Sequence, residues 1–121
     1  MANIYVVSDS SHDYSDAQRF GEMIFLFKEK INVFAIGKLA KLINEKLANA
    51  QVEDYLILSG NSIAGCMAFY TLLKNFNQVK LLIFSFRDQQ YEARTITRSM
   101  FETTSEKVGG TNDSSDNIAS S

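Results

Sequence analysis

The sequence predicts an α/β fold: a small, mostly parallel sheet with helices on both faces, an antiparallel edge strand and a disordered C-terminal tail. Three observations lead to it. Short apolar, β-branched runs alternate with helical patterns in the order β-α-β-α-β-α-β-β, the mark of parallel strands joined by crossover helices. The runs Tyr55–Ser59 and Val79–Ser85 are almost uninterruptedly apolar, as strands covered on both faces are. The last run, Tyr91–Thr97, instead sets Tyr91, Ala93 and Thr95 against Glu92, Arg94 and Ile96, as an edge strand does.

Asn3–Ser8 opens the chain as a strand whose place at the very start suggests a central position in the sheet. Asp9–Tyr14 is a polar loop at its carboxyl end. Ser15 and Gln18 have the spacing of a capping box, which starts a short helix running to Phe20 and ended by Gly21. Met23–Phe27 is a second strand, followed by a charged turn over residues 28–32. From Ile36 to Ala48, Leu39, Leu42, Ile43 and Leu47 share one helical face, and Lys38, Lys41, Asn44, Glu45 and Lys46 take the other. After the strand Tyr55–Ser59, a helix from Asn61 to about Asn75 is apolar nearly all round, so it is either deeply buried or half turned to a partner chain. Asp88–Gln90 turns the chain into the last strand. Residues 1–98 form one α/β ligand-binding domain. Residues 99–121, acidic and rich in Ser, Asn and Gly, form a flexible tail.

Composition narrows the function. At 121 residues the chain can bury a core, and 45% hydrophobic with 21% charged residues is ordinary for a soluble domain. No apolar run reaches the roughly 20 residues of a membrane helix, and the N-terminus has no leader-like segment. A single cysteine excludes an internal disulfide, and the interior of a cell is the expected compartment. The net charge of −2 hides an uneven spread. Residues 1–98 hold 11 Lys/Arg against 10 Asp/Glu, and residues 99–121 hold one against four. No basic stripe suggests a duplex nucleic-acid partner.

In parallel sheets ligands sit at the carboxyl ends of the strands, here Asp9–Tyr14, Ser59–Ser62 and Phe86–Asp88. The Ser59-Gly60-Asn61-Ser62 turn joins a strand to a helix N-terminus, where open amides and the helix dipole favour an anion. It has neither the glycines of a dinucleotide fingerprint nor the lysine of a P-loop, and a plain capped turn uses the same residues. In Asp9–Tyr14, His12 with Asp13 could form a general acid/base pair. Equally, the aspartates could cap backbone groups while His12 bonds locally. Phe86 and Arg87, with Tyr91 and Arg94, could stack a base and clasp phosphates, or be ordinary sheet-edge residues. A zinc site is discounted, because there is one histidine and Cys66 lies in an apolar helix. Ser59 and Ser62 lack a local base and a nucleophile elbow.

Taken together, Asn3-Ile4-Tyr5-Val6-Val7, His12-Asp13-Tyr14-Ser15-x-Ala17-x-x-Phe20-Gly21, Phe25-Leu26, Asp54–Asn61, Val79–Phe84 and Tyr91-x-x-Arg94-Thr95 resemble a family of small bacteriophage proteins, the first-described Thoeris anti-defence sponges. The resemblance spans about residues 3–96, and the His-Asp-Tyr-Ser run is its most specific part. It implies binding without turnover: sequestration of a cyclic ADP-ribose isomer, or of cyclic oligonucleotides, in the cytoplasm of an infected host, by a homodimer or higher homo-oligomer. It implies no catalytic residue, cofactor, metal, membrane or duplex nucleic acid. Strand-end geometry assigns to the ligand Asp9, Ser10, His12, Tyr14 and Arg19; Ser59, Gly60, Asn61 and Ser62; and Phe86, Arg87, Tyr91 and Arg94. The alternatives are an enzyme on nucleotides or phosphoesters using His12 and Asp13, and a protein-interaction module docking through helix Asn61–Asn75.

Overall fold

The computed structural model describes residues 1–102. Five strands, β1 (Asn3–Ser8), β2 (Glu22–Phe27), β3 (Tyr55–Ile57), β4 (Gln78–Ser85) and β5 (Gln90–Thr97), lie in the order β2-β1-β3-β4-β5. All neighbours are parallel except β4 and β5, which pair antiparallel from Gln78↔Thr97 to Ser85↔Gln90. Two α-helices, α1 (Ile36–Lys46) and α2 (Ser62–Phe76), and a short 3-10 helix, Ser15–Phe20, make the connections. The fold class is the one the alternation predicts, and β1 is interior.

The hand of the crossovers decides which face each connection covers. Chain progress from β2 to β3 and from β3 to β4 runs one way across the sheet, and from β1 to β2 the other. α1 and α2 therefore pack on one face, their Leu39, Ile43, Leu47, Ala64, Ala68 and Leu72 against Tyr5, Val7, Leu56, Val79 and Leu81. The 3-10 helix takes the opposite face, with Ala17 and Tyr14 against Ile4, Val6, Ile57, Leu82 and Tyr91. Alternate residues of β1 feed the two cores, which is why its run is apolar without a break.

Several local outcomes differ from the sequence expectation, each for a visible reason. The capping box does not form. Ser15 is already inside the 3-10 helix, and the Asp13 carboxylate accepts its amide at 2.9 Å. Asp16 turns away to accept the Tyr91 amide at 2.6 Å, and Arg19 donates to the Tyr91 carbonyl, so the 3-10 helix is stapled to β5. Strand β3 stops at Ile57, not Ser59, because the chain leaves the sheet to lay Ser59 over the end of β1. Helix α1 ends at Lys46, short of Ala48. At the opposite end of the sheet, buried Asp54 accepts the amides of Asn3 at 2.9 Å and Gln51 at 2.8 Å.

Helix α2 starts where expected, with Asn61 as cap: its side chain accepts from the Ala64 amide at 3.0 Å. Its small residues Ala64, Gly65 and Ala68 face the sheet, and Met67, Phe69, Leu73 and Phe76 pack partly against the same core. Most of its apolar surplus is thus spent within the chain, leaving Ile63, Cys66 and Tyr70 exposed. Among the described residues, no helix is long and apolar enough to cross a membrane. Arg98–Phe101 forms a 3-10 turn whose first amide bonds the Asn77 carbonyl. From residue 103 on, the tail expected over 99–121 lies outside the described residues.

Candidate functional site

Register builds the site. β3 pairs with β4 only at Tyr55↔Lys80 and Leu56↔Leu81. Beyond that point β4 continues to Ser85 while β3's chain swings toward β1. The divergence opens a cleft of about 580 Å³ at the carboxyl end of the sheet, within the range of small-molecule sites. It adjoins the β1–β3 boundary where chain direction across the sheet reverses, the usual ligand position in open α/β sheets.

The β1–β3 corner is held by Ser8. Its amide and its hydroxyl both donate to the Ser59 carbonyl, at 3.1 and 3.2 Å, and its oxygen accepts the Asn61 amide at 3.2 Å. Gly60 sits above with φ 85°, and a Cβ there would stand 1.7 Å from the Ser8 hydroxyl. Only glycine suits that backbone and that distance. Next to this corner three hydroxyls converge: Ser59 Oγ lies 2.6 Å from both Ser10 Oγ and Tyr14 Oη, which are 3.2 Å from each other. The Ser10 amide also donates to Tyr14 Oη. Three hydroxyls carry three protons, and two suffice for the short contacts. The third is free to serve the long edge or to meet a guest.

Aromatic rings supply much of the remaining wall. Phe84 stands edge-to-face with Phe86 at 5.2 Å and with Tyr91 at 5.1 Å, and His12 edge-to-face with Tyr14 at 6.2 Å. Ile57, Leu58, Leu81, Leu82 and Ile83 complete the lining with Asp13, Ser59 and Gly60. Phe86 is 81% exposed, so its ring overhangs the mouth. Burial pushes the Tyr91 phenol above its ordinary value of 10, and nearby Tyr14, Asp13 and Asp16 push the same way. The Asp13 carboxyl is held below 3.8 by the Ser15 amide it accepts.

Of the residues expected at the ligand, His12, Tyr14, Ser59, Gly60, Phe86 and Tyr91 line the cleft, and Ser10 stands directly behind it through Ser59. The others are placed elsewhere or otherwise engaged. Asp9 accepts the amide of Ser11, a residue at φ 65°. Asn61 caps α2, and Ser62 is its first residue. Arg19 holds the Tyr91 carbonyl and lies over the Phe20 ring at 4.2 Å. Arg87 pairs with Asp88 on the β4–β5 turn, and Arg94 pairs with Glu92 at 2.8 Å. Among the described residues, no lysine or arginine lines the cleft. Its walls thus suit a planar ring system, with hydrogen-bonding groups at one edge.

Sequence reasoning missed Ser8 and the β4 segment Leu81–Phe84. The unequal lengths of the runs Tyr55–Ser59 and Val79–Ser85 were the available signal, since a longer strand beside a shorter one leaves part of its edge unpaired.

A family model described as Phage Pam3 gp32-like protein matches residues 3–97. No curated protein and no solved structure matches the chain.

Proposed function

We propose that this chain, which belongs to the phage Pam3 gp32-like protein family, is a phage immune-evasion protein that binds a cyclic nucleotide signal in the strand-end cleft and holds it uncleaved. The ligand class is a cyclic ADP-ribose isomer or a cyclic oligonucleotide, as the resemblance to Thoeris anti-defence sponges implies. The observation that carries the reading is the lining itself: aromatic rings at Tyr14, Phe84, Phe86 and Tyr91 around an edge of convergent hydroxyls. Rings of that kind stack a base, and hydroxyls bond sugar or exocyclic groups. The open amides of the first turn of α2, which begins two residues beyond the lining residue Gly60, suit a phosphate. Holding without cutting is supported by the fate of the carboxylates. Asp13 is bonded to the Ser15 amide and Asp9 to the Ser11 amide, and neither is hydrogen-bonded to His12.

Isothermal titration of the full chain with a cyclic ADP-ribose isomer tests the proposal. Saturable binding is expected, at nanomolar strength if the protein is to outcompete an effector, about 12 kcal/mol. Phe86→Ala should weaken binding by about 1–3 kcal/mol through lost stacking. His12→Ala should weaken it modestly. Ligand cleaved by the wild type but not by His12→Ala would establish the enzyme instead.

A further inference from the structure

We propose that β2 is a pairing edge whose occupant is a second copy of this chain, joined antiparallel about a two-fold axis at Phe25. The two edges of the sheet are built differently. β5 carries Glu92, Arg94 and three threonine or glutamine positions, the charges and polar groups that keep an edge from pairing. β2 reads Met-Ile-Phe-Leu-Phe from residue 23 to 27, with no charge, proline or glycine. Ile24 is 38% exposed, and Met23, Phe25 and Phe27 are only half-buried.

The backbone direction is fixed by one bond. The Glu22 amide donates to the Ala2 carbonyl of the strand's N-terminal neighbour at 3.2 Å. In a parallel pair, alternate residues then turn their polar groups inward, so Glu22, Ile24 and Leu26 face β1. Met23, Phe25 and Phe27 present both N–H and C=O outward, and β2 pairs only with β1 among the described residues.

Those groups allow few registers. In an antiparallel pair, outward residues must lie opposite outward residues to exchange bonds. With Phe25 opposite Phe25 of the second copy, Met23 faces Phe27, and each of these pairs exchanges both bonds. The same register sets Ile24 against Leu26 and brings Glu22 against Lys28, both exposed, at each end. Slipping the register by two residues toward either end loses the Glu22–Lys28 contact, putting Glu22 against Leu26 or moving it to Lys30 with Lys28 against Ile24. The central register alone keeps three exchanging pairs within the strands, Phe25 with Phe25 and Met23 with Phe27 twice, together with the Glu22–Lys28 contact at each end, an isologous contact that closes on itself.

Sedimentation of the full chain tests this. At tens of micromolar it should run at twice 13.6 kDa. Glu22→Lys, a change at an exposed site, should raise the dimer Kd about tenfold or more by placing like charges at both ends. Adding Lys28→Glu should restore it. Ile24→Lys should give a monomer with an unchanged circular dichroism spectrum. A monomeric wild type, whether β2 is bare or covered by residues 103–121, overturns the proposal. A dimer indifferent to Glu22→Lys and Ile24→Lys overturns the surface, and failure of the charge swap to rescue overturns the register.

Discussion

Substituting Gly60→Ala tests how the β1–β3 corner is held. Two costs add. An L-residue at φ 85° costs about 1 kcal/mol or somewhat more. The new Cβ at 1.7 Å must also expel the Ser8 hydroxyl, which breaks its bonds to the Ser59 carbonyl and the Asn61 amide. Each such bond is worth roughly 1 kcal/mol. The sum is about 3–4 kcal/mol, or about 15 °C or more in Tm for a domain of this size. Urea unfolding followed by circular dichroism reads it directly. Ser8→Ala alone should cost about 1–2 kcal/mol, and the double variant should cost less than the two singles together, because Ser8→Ala has already surrendered the bonds. A Gly60→Ala loss below about 1 kcal/mol, or strict additivity with Ser8→Ala, would refute the packed corner.

Other expectations follow from the same contacts. Ser59→Ala should cost about 1 kcal/mol of stability, since Ser59 links Ser10 and Tyr14, and Tyr14→Phe should cost a similar amount; denaturant titration reads both. Asp16→Ala leaves the part-buried Tyr91 amide without its acceptor and should destabilise by about 1–3 kcal/mol, with amide exchange at Tyr91 accelerated. Ile43→Ala removes a fully buried side chain of α1 and should cost about 2–5 kcal/mol in the same unfolding assay. Tyr91 and Tyr5 both have phenols raised above 10, chiefly by burial. The folded state therefore holds these protons more tightly than the unfolded one. Stability is intact below pH 10 and should fall as pH rises beyond it, less steeply in Tyr91→Phe.

The fold was legible because period and length agree. Continuous apolar runs at Tyr55 and Val79 mark strands covered twice, and Leu39, Ile43 and Leu47 mark a helix covered once. The carboxyl-end rule groups His12, Tyr14, Ser59, Gly60, Phe86 and Tyr91 at one end of the sheet, and all six line the cleft. The arginines show where such reasoning stops. Position in the chain puts Arg87 and Arg94 near the strand end, but side-chain direction and a neighbouring carboxylate decide what each meets, and Asp88 and Glu92 are local competitors. Ser15 and Gln18 have capping-box spacing, yet the helix is 3-10 and begins at Ser15 itself, so Asp13 does the work from outside. Ser8 was invisible because its role depends on β3 ending early, a matter of three-dimensional register.

On the proposed function, the strand-end cleft keeps its ligand whole. The full chain, saturated with a cyclic ADP-ribose isomer, freed of unbound material and then denatured, should release that compound unchanged in mass and ring closure, at one molecule per cleft, by liquid chromatography with mass spectrometry. Release of an opened or hydrolysed product, or of no nucleotide at all, would contradict it.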